Sequence, residues 1–171
     1  MSSPGFVRPL LPSDLPGAKR VIDGVDLFPS AMLDGMVAPF LDGAGTGEFW
    51  VVFDDGAPAA VAYCAPERMT EGTWNLLLIA VAPERQGEGV GAAVMEHIER
   101  KLAAEGQRLL LVETSGLDAF ARTRAFYARL GYEAEARIRE FYGPGHDKVV
   151  FRKTLPRPAG RRSGPRGEGG R

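Results

Sequence analysis

Cysteine is almost absent. Cys64 stands alone in 171 residues, which excludes an internal disulfide and any multi-cysteine metal site. The histidines are His97 and His146, far apart in sequence, so a histidine-built metal centre is not expected. No apolar run approaches the roughly 20 residues that span a bilayer. The opening residues, Met1-Ser2-Ser3-Pro4-Gly5, lack the basic start and apolar stretch of a signal peptide. Internal repeats are missing as well. These absences set the expectation of a cytoplasmic protein with no metal and no membrane partner. What is present, 44% hydrophobic and 25% charged residues, is ordinary for a folded domain of this length, which buries a core without staples.

The net charge of −1 hides an asymmetry: residues 156–171 carry five arginines and one glutamate, or +4, leaving −5 on the rest. That segment has no apolar residue beyond Ala159 and cannot offset its ordering entropy by burial, so a folded domain over residues 1–155 and a disordered basic tail are expected. The acidic body argues against a nucleic-acid groove.

Phe6 to Leu10 reads as a first strand, and Ser13-Asp14 as the cap of a helix through about Gly24. A second helix is expected over residues 29–41. Glu48 to Phe53 and Ala59 to Cys64 read as strands joined by the hairpin signal Asp54-Asp55-Gly56. Trp74 to Val81 is nearly all apolar, as a central strand would be. Val90, Val94, Ile98 and Leu102 form one stripe of a helix that Gly106 closes. Arg108 to Val112 is a buried strand, Asp118 to Leu130 a helix, and two strands near 133–142 and 148–155 complete the order. A helix crosses over between strands 74–81 and 108–112, so these two should be parallel. The remaining pairs read as antiparallel hairpins, giving a mixed α/β sheet rather than a doubly wound one.

The strongest chemical signal is Pro83-Glu84-Arg85-Gln86-Gly87-Glu88-Gly89-Val90-Gly91-Ala92, between a buried strand and an amphipathic helix. Glycines allow positive φ and close approach of a ligand, and a helix N-terminus offers unpaired N–H groups and partial positive charge. Together they suit phosphate or pyrophosphate. Walker A is excluded because no Gly-Lys-Ser/Thr follows. Gly87, Gly89 and Ala92 fit a dinucleotide fingerprint, but four residues separate Gly87 from the strand and only one crossover is visible.

Gln86-Gly87-Glu88-Gly89-Val90-Gly91 matches Q/R-x-x-G-x-G/A, and Ala125-Phe126-Tyr127-Ala128-Arg129-Leu130-Gly131-Tyr132 matches A-x-F-Y-x-x-x-G-F/Y. In this order and spacing the chain resembles the GCN5-related N-acetyltransferase (GNAT) superfamily, firmly over residues 74–132 and in element order over 6–155. The resemblance implies a central mixed sheet, flanked by helices, whose two parallel strands splay apart to admit acetyl-CoA. Backbone groups of Ile79 and Val81 would meet the pantetheine arm and thioester. Amides of Gln86, Gly87, Glu88, Gly89, Val90, Gly91 and Ala92 would hold the pyrophosphate. Tyr127 would protonate the departing thiolate.

A base is harder to find. Strict alternation puts Asn75, Leu77 and Ile79 on one face of their strand, and none is basic near neutral pH. Asn75 is therefore a candidate for orienting a water or the acceptor, and Glu113, at the end of the second parallel strand, for accepting a proton. Phe120 stands where some relatives place an asparagine seven residues before the tyrosine. His146 sits in a turn with Asp147, near Phe141 and Tyr142, that borders the expected acceptor site. The implied activity is transfer of an acetyl group to a primary amine of a small molecule or peptide, by a monomer or homodimer. A CoA-binding regulatory module without turnover is the alternative, and a nicotinamide-dependent oxidoreductase is a third, weaker reading. Deleting residues 157–171 is expected to leave the melting midpoint and acetyl-CoA affinity nearly unchanged. A loss of several degrees in a thermal scan contradicts the disorder reading.

Overall fold

The structure is a computed structural model that describes residues 5–157. The tail expected to be disordered falls, beyond residue 157, outside the described residues. The elements run β1 (Phe6–Pro9), α1 (Leu15–Val25), α2 (Leu33–Leu41), β2 (Phe49–Asp54), β3 (Pro58–Pro66), β4 (Thr73–Val81), α3 (Val90–Ala104), β5 (Leu109–Ser115), α4 (Ala121–Arg129), β6 (Glu133–Gly143) and β7 (His146–Thr154). Among the described residues, seven strands form one sheet in the order β1-β2-β3-β4-β5-β7-β6. The crossover through α3 makes β4 and β5 parallel, and the other neighbours pair antiparallel, as the sequence implies.

Some boundaries differ. β5 continues to Ser115, so Glu113 lies inside the strand and not at its end. β7 starts at His146, which is therefore a strand residue and not part of the turn. The helices expected at 29–41 and 118–130 each open with a short 3-10 turn, Ser30–Met32 and Asp118–Phe120. Asp14 stands at the N-cap of α1, as expected, but its side chain makes no cap bond to that helix. Its carboxylate instead accepts the Leu11 N–H at 2.8 Å and two bonds from Arg8.

The sheet buries both faces across its middle, which is why β2 reads as an unbroken apolar run. Phe49, Val51 and Phe53 face the core under α3, with Val94, Ile98 and Leu102. Trp50 and Val52 face the core under α1 and α2, with Val21, Ile22, Leu33 and Val37. The Trp50 ring stacks on Tyr63 with centroids 4.4 Å apart.

One irregularity sets up everything that follows. Cys64 pairs with Leu76 and Tyr63 with Leu78, so Leu77 has no partner on β3. An extra residue in one strand flips the side-chain alternation downstream. Trp74 and Leu76 face the α3 core before the bulge, and Ile79 and Val81 face it after, while Leu78 and Ala80 face the α1 side. The expectation that Asn75, Leu77 and Ile79 share a face is therefore incorrect: the bulge puts Asn75 and Ile79 on opposite faces.

Arg8 ties three segments together. Its guanidinium donates to both Asp14 oxygens at 2.7 and 2.8 Å and twice to Asp54, at 2.7 and 2.9 Å. The pairs are partly buried, and hydrogen bonding to Arg8 is the largest cause holding both carboxyls below their ordinary value. With folded-state values lowered, the contribution is complete above the unfolded value near 4 and is lost as pH falls through the folded values. Arg8→Met is expected to cost about 2 kcal/mol at neutral pH. In urea unfolding the gap to wild type should shrink progressively as pH falls below the unfolded carboxyl value near 4 and the carboxyls protonate. A gap that persists there assigns Arg8 to packing.

Candidate active site

β4 and β5 pair from Thr73↔Leu109 to Leu76↔Val112 and no further, although both strands continue. β4 turns away with β3, and β5 with β7. The β5-facing backbone groups of β4 beyond Leu76 therefore have no strand partner, and buried peptide groups require one. The divergence opens a cleft of about 1090 Å³ lined by Ile79 and Val81 of β4, Glu113 to Ser115 of β5, the glycine loop, Tyr127 and other α4 residues, and Tyr142 and His146.

At the loop, Pro83–Arg85 form a 3-10 turn and Gln86 is extended. The Gln86 side chain donates to the Val81 carbonyl at 3.1 Å, fastening the loop to the strand end. Gly87 and Gly89 take φ of +81° and +84°, and a Cβ on either would meet nothing within 4 Å, so the backbone lies open to a ligand. Gly89 is the N-cap of α3, whose first turn carries no acidic residue. Gly91 differs, because a Cβ there would lie 3.3 Å from the Phe126 ring. Its small size allows α3 to approach α4. Val90 is 3% exposed in the core, which limits it to its backbone N–H. Glu88 does not line the cleft, and its carboxylate accepts from Arg85 Nε at 2.7 Å. Arg85 also pairs with Asp55 and lines the cleft, as do Arg122 and Arg129 of α4. The open glycines, free first-turn amides and neighbouring arginines fit a pyrophosphate ligand.

Tyr127 is 3% exposed and sits among Phe126, Tyr132 and Phe151, with ring centroids 5.2 to 5.9 Å away. Burial pushes its phenol above the ordinary value, which keeps the hydroxyl protonated at neutral pH. Tyr132, five residues on, is committed elsewhere: its hydroxyl donates to Glu99 at 2.9 Å.

Asn75 is 4% exposed and does not line the cleft. Its Nδ2 donates to Glu67 at 2.8 Å and to Glu113 at 3.4 Å, and its buried Oδ1 has no partner among the described residues. Glu113 does line the cleft, with Oε1 held by Asn75 and Oε2 3.1 Å from Lys148 Nζ. Lys148 Nζ is capped by the Phe141 ring, 3.8 Å from its centroid. Glu67 was not apparent from the sequence, because it lies in a loop and acts only through Asn75. Ser115 also escaped notice: its Oγ is 2.8 Å from His146 Nε2 and accepts the Leu117 N–H at 3.1 Å. Reading β5 three residues beyond Val112 would have exposed it.

A family model described as "Acetyltransferase (GNAT) domain" matches residues 45–134. A GNAT-family protein from Desulfovibrio desulfuricans is 34% identical, with 90% of this chain and 100% of that one covered, at a TM-score of 0.82. The ribosomal-protein-S18-alanine N-acetyltransferase of Escherichia coli aligns at 23% identity over 92% of this chain and 97% of its own, with a TM-score of 0.71. A phosphinothricin acetyltransferase from Sinorhizobium meliloti, in complex with AcCoA, aligns at 20% identity over 96% and 94%, with a TM-score of 0.72. At their identities these last two bear on the fold alone. A domain match over more than half the chain and a one-third-identical relative along nearly all of it establish that this chain belongs to the GNAT family of acyl-CoA-dependent N-acetyltransferases.

Proposed function

We propose that this enzyme transfers an acetyl group from acetyl-CoA to the primary amine of a small molecule or peptide. The observation that carries the reading is the continuity of the β4–β5 divergence with the open glycine loop. A pyrophosphate at the amides of residues 86–92 and a pantetheine arm along Ile79 and Val81 would share one cleft. The backbone N–H groups that β4 turns toward β5 beyond the bulge supply donors for that arm and for the thioester carbonyl. A relative crystallised in complex with AcCoA has the same fold.

Tyr127 then serves as the proton donor to the leaving sulfur. Its raised affinity for the proton means the phenol gives it up only as another proton replaces it, and the attacking nitrogen sheds one at that stage. Glu113 is not a free carboxylate, because Asn75 and Lys148 engage both of its oxygens. Its role in this reading is to form a fixed polar wall of the cleft beside the acceptor. Leu27, Leu77 and Tyr142 line the same cleft and provide an apolar frame for the acceptor's body.

Thiol release from acetyl-CoA, followed against spermidine, tyramine, kanamycin and an alanyl peptide, tests the reading. Amine-dependent release supports it, whereas CoA binding with no release supports the binding module. Gly89→Asp is expected to abolish acetyl-CoA binding in calorimetry while the fold persists, because its side chain and charge occupy the phosphate approach. Unchanged affinity removes the loop as the phosphate site. Tyr127→Phe should keep the packing and the affinity but lower kcat and kcat/KM together by about 10²–10⁴-fold. A variant within about twofold of wild type, with chemistry limiting turnover, removes Tyr127 as the proton donor.

A further inference from the structure

Amine acylation requires a group that takes a proton from the acceptor, and β4 offers none. The bulge turns Asn75 off the cleft face, Leu77 and Ile79 are apolar, and Glu113 has both oxygens engaged. The C-terminal end of β5 offers a different arrangement. Ser115 and His146 both line the cleft that holds Tyr127. Ser115 is 6% exposed, while His146 is half-buried and so keeps a path to solvent. Ser115 Oγ accepts the Leu117 N–H at 3.1 Å and lies 2.8 Å from His146 Nε2, which accepts the Ser115 proton in the imidazole tautomer protonated at Nδ1.

The pair is held from several sides. Gly116 N–H donates to the Asp147 carbonyl at 2.9 Å. Arg124 donates to the Ser115 and Leu117 carbonyls at 2.7 and 2.8 Å. Tyr142 packs on the imidazole with centroids 4.9 Å apart. Most charged groups near His146 are engaged by partners, while Arg139 of β6, which acts on Asp147, and Arg122 of α4, which lines the same cleft, make no side-chain bond among the described residues. On its own strand, Asp147 accepts from Arg137 and from the Glu140 N–H, and Lys148 pairs with Glu113 of β5. From β6, Glu140 accepts the Gly145 N–H. From α4, Arg124 is bound to carbonyls. None of the engaged charged groups bonds to the Ser115 hydroxyl or the His146 ring, whose bonds are to each other and to the Leu117 N–H.

We propose that Ser115 and His146 form the proton-accepting pair for the acceptor amine, an inference that rests on the acetyl-transfer reading above. An ammonium N–H passes its proton to Ser115 Oγ as the Ser115 proton moves to His146 Nε2, so His146 gains one proton and releases it to solvent. The neutral nitrogen then attacks the thioester carbon. The C–N bond forms, the C–S bond breaks, and the sulfur takes the Tyr127 proton. The proton still carried by the nitrogen replaces the one Tyr127 gave up. The sum is ammonium plus acetyl thioester giving amide, thiol and one free proton.

The test compares Ser115→Ala, His146→Gln and the double variant, with whichever amine of the panel above wild type turns over fastest. Each single variant is expected to lose about 10²-fold in kcat/KM, and the double variant no more than about threefold beyond that, because the two residues act as one unit. His146→Gln should also erase the lower-pH limb of the kcat/KM profile, with acetyl-CoA affinity and melting midpoint unchanged. Either single variant within about twofold of wild type overturns the assignment. Losses that multiply in the double variant, or that track a fall in melting midpoint, overturn it as well by giving the residues separate or structural roles. If wild type itself acetylates no amine, the acetyl-transfer reading fails and takes this inference with it. Wild-type transfer with both variants fully active defeats the pair alone.

Discussion

The site depends on two parallel strands ceasing to pair. β4 and β5 share four residue pairs, ending at Leu76↔Val112, and then each follows a different neighbour. The extra residue at Leu77 is the local cause on the β4 side, since a bulge sharpens twist and bends the strand that carries it. Its neighbours hold the divergence open: Tyr63, Ala62, Val61 and Ala60 keep β4 paired through Val81, and Val150, Val149 and Lys148 keep β5 paired through Ser115. The unpaired backbone edges leave peptide groups on the cleft wall that must find partners other than a neighbouring strand.

The two ends of the cleft are built by different means. At the loop the open groups are main-chain amides, and the glycines clear the space around them: Gly87 and Gly89 leave the approach open, and Gly91 lets α3 settle against Phe126. Side chains matter at the other end. Asn75, Glu67 and Lys148 fix Glu113, while Arg124 and Tyr142 fix the segment bearing Ser115 and His146. Tyr127 lies among aromatic rings whose burial keeps its proton in place.

The sheet, its parallel pair and the open glycine loop were legible because they rest on local signals: apolar runs, a helical stripe from Val90 to Leu102, and glycines at a strand-to-helix turn. The tyrosine motif was legible for the same reason, since Phe126, Tyr127 and Gly131 occupy one short helix and its stop. The surroundings of Glu113 and Ser115 were not. Alternation fails at a bulge, and nothing in Trp74 to Val81 marks Leu77 as the extra residue until β3 is laid beside it. Asn75 of β4 meets Glu113 of β5 and Glu67 of the loop after β3, and Ser115 meets His146 across 31 positions, through the pairing of β5 with β7. Contacts of that range follow from register, which one sequence does not display.

Backbone amide NMR of the protein titrated with acetyl-CoA tests the central claim most directly, because each strand and loop amide reports separately. The account predicts shifts concentrated at residues 77–81 of β4 and 86–92 of the loop, with β6 residues 134–137 unmoved. Shifts concentrated away from the β4–β5 divergence would contradict it.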